Sequence, residues 1–226
     1  MTRPGTSTLN CPCCGRTFNT RVLYSTNNLG GTTTEFRPVA AGEQPTRYRV
    51  HSCPDCGYSG SEADFGKSVP AHVTSLVAER ITPLIREQKP SAAQRFEFAA
   101  WIAERWNEVP RRVGDCYLQA AWIQDASRSE PSAGERSATD YRRLALNWYI
   151  KAVDRELPLP DESLTLVYLI GELHRRTGDP TTAELWFNRT ITAADGNPNL
   201  AQLASLARQQ RDAPEEFIPR TSRQWP

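Results

Sequence analysis

Cys11-Pro12-Cys13-Cys14-Gly15 and Cys53-Pro54-Asp55-Cys56-Gly57 share one design, Cys-Pro-x-Cys-Gly, and their reading decides the N-terminal fold. Two intervening residues let both sulfurs of a pair turn toward one centre. The proline fixes φ near −65° and tightens the turn, and the glycine takes the positive φ that closes it. Two such knuckles supply four thiolates, the tetrahedral donor set that Zn²⁺ prefers. The expected ligands are Cys11, Cys14, Cys53 and Cys56 around one structural zinc. Iron in the same cage and a redox dithiol are the competing chemistries. Cys13 competes with Cys14 as a ligand, but the Cys11/Cys14 pair reproduces the second spacing and places Gly15 directly after it. Cys116, far along the chain, reads as a small core residue.

The 226 residues suffice for one medium or two small domains, and 38% hydrophobic content with 6 Trp and 7 Phe can fill a sizeable core. The first ten residues are polar and lack the apolar run of a signal peptide. The longest apolar run, residues 164–170, is too short to span a bilayer. Paired cysteines without an export signal read as metal ligands, because the cytosol keeps thiols reduced. The expectation is a cytoplasmic protein with no membrane partner.

Charge argues in the same direction. Residues 1–70 hold seven basic and five acidic side chains, and four thiolates around Zn²⁺ bring that part near neutrality. Residues 71–226 hold 20 basic and 21 acidic groups. Neither part has the basic excess that phosphate binding normally requires. Arg47 and Arg49, alternating with Tyr48 and Val50, form a small patch at most.

After the first knuckle, Phe18, Thr20, Val22 and Tyr24 alternate with polar residues, the period of a half-buried strand. Residues 27–45, rich in Gly, Thr and Pro, read as a long loop. Residues 46–51 alternate again and read as a second strand leading into the second knuckle. This is a zinc-ribbon layout, expected over residues 1–70, whose small core depends on the metal.

From residue 71 the pattern is helical. Three segments repeat a small-x-x-x-aromatic-x-x-small spacing: Ala92, Phe96, Ala99; Ala145, Tyr149, Ala152; and Ala183, Phe187, Thr190. That spacing puts all three residues on one helix face, where small residues admit a neighbour and the ring fills the groove. Gly171 supplies a small residue at a crossing, and Gly178-Asp179-Pro180 ends one helix and starts the next. The arrangement resembles tetratricopeptide repeats. The departures are Gln119, His174 and Thr190, with loops at residues 127–139 and 156–160. An irregular bundle is the plain alternative. Residues 199–210 read as a capping helix, closing a helical domain over 71–211, and residues 212–226 as a flexible tail. The expected fold is mainly α, a tetratricopeptide-like antiparallel stack preceded by a small β module.

Taken together, Cys-Pro-x-Cys-Gly with Phe18, then Cys53-Pro54-x-Cys56-Gly57-Tyr58 with Asp64-Phe65, resemble a bacterial family of uncharacterised proteins, a domain of unknown function. The resemblance implies a cysteine module followed by tetratricopeptide-like helices. It supplies no activity.

Catalytic signatures are lacking: His51, His72 and His174 are scattered, and no HExxH, Walker, GxSxG or GxGxxG motif occurs. A four-thiolate zinc leaves no position for a reactive water. The expected function is therefore a non-enzymatic, zinc-stabilised adaptor binding a protein or peptide. The alternative is a nucleic-acid-associated zinc ribbon with a helical assembly module. Setting Gly171 at the crossing puts Tyr168, Glu172, Arg175 and Arg176 on an outward face, the expected peptide groove, because arginine forks suit carboxylates. The same register through Leu118 and Trp122 adds Val113, Cys116, Ala120, Ile123 and Gln124. Two arginines at a helix C-terminus are also explained by its dipole. The acidic, aromatic stretch from Glu215 to Ile218 is a possible occupant of this groove.

Overall fold

The computed structural model describes residues 3–127, 134–155 and 163–218. In chain order the strands are β1 (Arg3–Asn10), β2 (Thr17–Ser25), β3 (Gly31–Thr32), β4 (Pro38–Val39), β5 (His51–Ser52) and β6 (Ser59–Gly60). The helices are α1 (Ala71–Leu76), α2 (Thr82–Glu87), α3 (Ala92–Arg105), α4 (Pro110–Asp125), α5 (Ala138–Arg155), α6 (Leu164–Arg176), α7 (Pro180–Ala193) and α8 (Ala201–Asp212). The protein is thus mainly helical, with small antiparallel strand pairs near its N-terminus. Two compact units form: Met1–Thr26 with Gln44–Trp148, and Asn27–Glu43 with Tyr149–Pro226. Both run across the boundary expected at residues 70–71.

In the first unit each knuckle is the turn of a hairpin. β1 and β2 pair from Asn10 opposite Thr17 outward to Arg3 opposite Ser25. β5 and β6 pair through His51 opposite Gly60 and Ser52 opposite Ser59. The expected strand at 18–24 is present, but its partner is the polar N-terminal segment. The expected strand at 46–51 is replaced by a 3₁₀ turn, Pro45–Tyr48, and only His51 of that stretch is in a strand. Pro45 explains the change: its fixed φ suits the first turn of a helix, and it has no N–H for a ladder.

The reason that the helices of this unit do not separate from the cysteines is a shared core. Cys11, Cys53, Cys56, Tyr58 and Phe65 pack with Val73, Val77 and Ile81 from the α1–α2 rod and with Phe98 and Ile102 from α3. Residues Val77–Ile81, joining α1 to α2, form a π turn. Pro83 lacks an N–H and its ring crowds the carbonyl one turn back, so the helix must widen there. α3 begins with a capping box in which Ser91 Oγ accepts from the Gln94 N–H at 3.1 Å and Gln94 Oε1 accepts from the Ser91 N–H at 2.9 Å. Buried Glu97 of α3 accepts from Tyr141 Oη at 2.9 Å and Arg136 Nε at 2.8 Å. Val113 and Ala120 of α4, expected on an outward face, are fully buried. α4 packs along α3 on that side.

In the second unit α6 is buried from Leu164 to Leu173 except at half-buried Thr165, which marks a central helix. Gly171 sits where α7 crosses: a Cβ there would lie 2.9 Å from the Phe187 ring. Ala183, Phe187 and Thr190 are all buried, as their spacing requires. Gly178 ends the preceding helix at φ +91°, and Asp179 caps α7 by accepting from the Thr182 N–H at 3.0 Å. α8 follows in the place expected for a capping helix.

Residues Asn27–Glu43, expected as a loop, form an arm belonging to this second unit. β3 and β4 pair within it, and Thr33 bridges Phe217. The Thr34 N–H donates to the Glu216 carbonyl at 3.0 Å and the Ile218 N–H to the Thr32 carbonyl at 2.9 Å. Residues 216–218 of the expected flexible tail are therefore held against the arm. The remainder of that tail, 219–226, and the loop at 156–160 lie outside the described residues, as does most of the loop at 127–139.

Candidate metal centre

The two knuckles repeat each other atom for atom. The Gly15 N–H donates to the Cys11 carbonyl at 2.8 Å and the Gly57 N–H to the Cys53 carbonyl at 2.9 Å. The Cys11 N–H donates to the Arg16 carbonyl at 2.8 Å and the Cys53 N–H to the Tyr58 carbonyl at 2.9 Å. Gly15 and Gly57 stand at φ +77° and +79°, the conformation that glycine supplies without a Cβ penalty. At Gly57 space is a second constraint, because a Cβ would come 2.6 Å from Ile81 Cγ2.

This geometry gathers the thiols of Cys11, Cys14, Cys53 and Cys56, all within 4.8 Å of one another. Cys11 Sγ lies 3.6 Å from Cys56 Sγ, and Cys14 Sγ lies 3.6 Å from Cys53 Sγ. A tetrahedral ion with metal–sulfur bonds of about 2.3 Å holds its sulfurs about 3.8 Å apart. A disulfide would need about 2 Å. The spacing therefore suits a four-thiolate metal site, and all six cysteines are free. Cys13 is partly buried, packs beside the core and touches Cys56, but is not one of the four clustered sulfurs.

Four thiolates this close repel one another. Hydrogen bonding with Cys53 pushes the Cys11 thiol up to about 12, and contacts from Cys11, Cys13 and Cys53 push Cys56 far above the ordinary thiol range. Cys53, stabilised by hydrogen bonds from Cys11 and Cys56, is held down at about 2. Close thiols thus hinder one another's ionisation, which a cation among them would relieve. Support comes from outside the ligand set: the Tyr58 N–H points at Cys56 Sγ at 3.5 Å, and Thr82 Oγ1 donates to the Cys56 carbonyl at 2.8 Å. At the solvent-facing tips Arg16 and Asp55 pair at 3.6 Å, both more than half exposed, a contact worth little.

Beside the module lies a carboxylate, Asp64, that the sequence singles out only through the family resemblance and without a role. Asp64 is nearly buried, and its Oδ2 accepts from the Ser61 N–H at 2.9 Å and Ser61 Oγ at 2.7 Å. Its Oδ1 accepts from Lys67 Nζ at 2.9 Å and an Arg112 terminal nitrogen at 2.6 Å. Burial alone would raise its carboxyl, but the Arg112, Lys67 and Ser61 hydrogen bonds outweigh burial and hold it well below the usual range. A cavity of about 480 Å³ opens beside it, walled by Tyr58, Lys67, Trp106, Arg112 and Cys116 among others. Ser61-x-x-Asp64 carries a capping-box signal, which was the available clue. Burial pushes the Cys116 thiol up to about 12, away from the thiolate form that makes a cysteine nucleophilic.

The residues expected to line a peptide groove do come together, but around the protein's own arm. Tyr168 and Glu172 are fully buried. Glu172 accepts from Thr34 Oγ1 at 2.6 Å and from the Arg175 fork at 2.7 and 2.8 Å. Arg176 lies 3.7 Å from Glu35, and the Phe36 ring leans on Tyr168 at a 50° tilt with ring centres 5.2 Å apart. Residues 34–36 thus fill the face drawn as open. Phe36 does so at φ +60°, a conformation that costs a bulky side chain energy. The histidines remain apart: His51 Nδ1 meets Thr20 Oγ1 at 2.9 Å, and His174 Nδ1 meets Asp179 at 3.3 Å.

A mainly helical fold carrying a double Cys-Pro-x-Cys-Gly centre defines the class. The chain belongs to a family described as uncharacterised protein conserved in bacteria (DUF2225), which matches residues 6–213. No curated protein and no solved structure matches it. Among the described residues no helix is long and apolar enough to cross a membrane.

Proposed function

We propose that this protein is a non-enzymatic adaptor of the cytoplasm, stapled by one structural Zn²⁺ and binding another protein or peptide through its helical part. The observation that carries the reading is the four-sulfur cluster with its 3.6 Å edges. Zinc is favoured over iron because four soft thiolates in a tetrahedron suit it without redox chemistry. A full coordination shell leaves no site for a metal-bound water, so the centre organises structure. The stack-like pairing of α6 with α7 and of α7 with α8, with small residues at the crossings, supports a tetratricopeptide-like scaffold.

The face around Tyr168, Glu172, Arg175 and Arg176 is the proposed partner surface, and a peptide reaching it competes with Thr34, Glu35 and Phe36. Recovery of tagged full-length protein from its native cells under mild conditions, with mass spectrometry, tests the reading. It predicts a stoichiometric protein partner that is lost when Arg176 is changed to Glu. Protein recovered alone, or a partner indifferent to that change, contradicts the assignment of this face.

A further inference from the structure

The overall charge of +1 conceals a local imbalance in the first unit. Arg47 and Arg49 flank Tyr48 on the 3₁₀ turn, and the guanidinium of Arg21 from β2 lies 5.5 Å from the Tyr48 ring centre. Arg95, near the start of α3, is only partly exposed, and its Nε is shut off from water with no hydrogen-bond partner. Among the described residues no carboxylate pairs with Arg47, Arg49 or Arg95. Arg49 finds only the Gln119 carbonyl oxygen, at 3.4 Å. Burial and the charge of Arg47 both press on the ionised form of Arg95. Glu62 is the nearby acid, and it accepts a hydrogen bond from Ser7 Oγ at 3.1 Å. A desolvated guanidinium beside like charges is expensive unless an anion completes the site.

Of these arginines Arg49 lines a cleft of about 520 Å³ between the outer end of β2 and the 3₁₀ turn, walled also by Tyr24, Tyr48, His51 and Glu62; Arg47 adjoins it beside Tyr48, and Arg95 is near enough to His51 to act on its charge. That volume accommodates a nucleotide-sized group. Tyr24, in the wall of the cleft, is 65% exposed: its ring lies over Gly5 and its hydroxyl donates to the Thr6 carbonyl at 3.2 Å, which leaves the outer face of the ring to water. Arginine forks match phosphate oxygens, and an exposed ring offers a surface for an unpaired base, which a duplex would keep stacked inside.

We propose that this cleft binds single-stranded nucleic acid, with Arg47, Arg49 and Arg95 meeting its phosphates and Tyr24 stacking on a base. The site is independent of the adaptor reading and of the α6 face.

The test uses intact, metal-replete full-length protein and a fluorescent oligouridine, read by anisotropy across a salt series, with tripolyphosphate as a second ligand. Arg47→Ala and Arg95→Gln should each lower the slope of log affinity against log salt by about 0.7. Tyr24→Ala should weaken oligouridine about tenfold and leave tripolyphosphate unchanged. Arg47 is exposed, so its replacement is read without loss of fold even if the Arg95 variant is unstable. Absent oligouridine binding, or binding indifferent to Arg47 and Tyr24, overturns the proposal. Tripolyphosphate binding without oligouridine binding also overturns it, leaving a small-anion site.

Discussion

The hydroxyl of Thr34 donates to the carboxylate of Glu172 across 2.6 Å, and neither residue is exposed to solvent. Thr34 lies in the stretch between the two knuckles, while Glu172 belongs to the central helix of the second unit. The segment separating the two cysteine knuckles is therefore not a slack linker. It supplies one hydrogen bond to a buried charge whose other partner is the Arg175 fork, and it lays Phe36 on Tyr168.

That arrangement makes Glu172 a sensitive position. Glu172→Ala leaves the partly buried Arg175 guanidinium without its acceptor and the Thr34 hydroxyl with only the Glu216 carbonyl at 3.4 Å, and destabilisation of about 3 kcal/mol is expected. Replacing Glu172 and Arg175 together by leucine should recover much of this, because no charge is then stranded. Urea unfolding followed by tryptophan fluorescence measures both. A single variant within about 0.5 kcal/mol of wild type would show that the buried pair adds nothing.

At Gly171 two effects oppose each other. Alanine is the better helix former by about 1 kcal/mol, but its Cβ would sit 2.9 Å from the Phe187 ring and 3.2 Å from Trp186 Cβ. Overpacking of a filled crossing costs about 1–3 kcal/mol. Gly171→Ala should therefore be net destabilising, by about 1 kcal/mol, and Ala183→Trp on the facing helix by more. A rise in melting temperature for Gly171→Ala would mean that α7 can retreat from the crossing.

Asp64 gives a pH dependence of definite sign. Its carboxyl is held below the unfolded value, so its stabilisation is complete above about pH 4 and is lost as pH falls through the lower, folded value. Asp64→Asn should be less stable than wild type at neutral pH, and the gap should narrow on acidification below about pH 4. Metal release in acid affects both proteins alike, so the difference between them isolates Asp64. A gap that stays constant to pH 2.5 would contradict the assigned hydrogen bonds.

What the chain discloses in sequence follows the range of the forces involved. Cys-Pro-x-Cys-Gly is a local device, and every one of its residues does in three dimensions what its chemistry requires. Gly171, Ala183 and Asp179-Pro180 were equally readable, because helix crossings and caps are set within a turn or two. β1 was not. Its Thr and Ser residues carry no apolar alternation, and only pairing with β2 makes it a strand. Thr46 to His51 looked like a strand by period, and Pro45 overrode it. The pairings of Asp64 with Arg112 and of Thr34 with Glu172 join distant residues through contacts that no local pattern announces.

Cys13 separates the two readings of the first knuckle. Cys13→Ser should leave the metal in place, since Cys14 and not Cys13 lies in the four-sulfur set. Cys14→Ser should release it. Equal metal retention by Cys14→Ser and loss by Cys13→Ser, followed by elemental analysis, would reverse the assignment.

The central claim is the identity and stoichiometry of the metal, and elemental analysis of protein purified without added metal measures both. One zinc per chain in the wild type, and none after Cys53→Ser, is the predicted result. Metal-free wild-type protein, or iron with visible absorption in the same site, would contradict it.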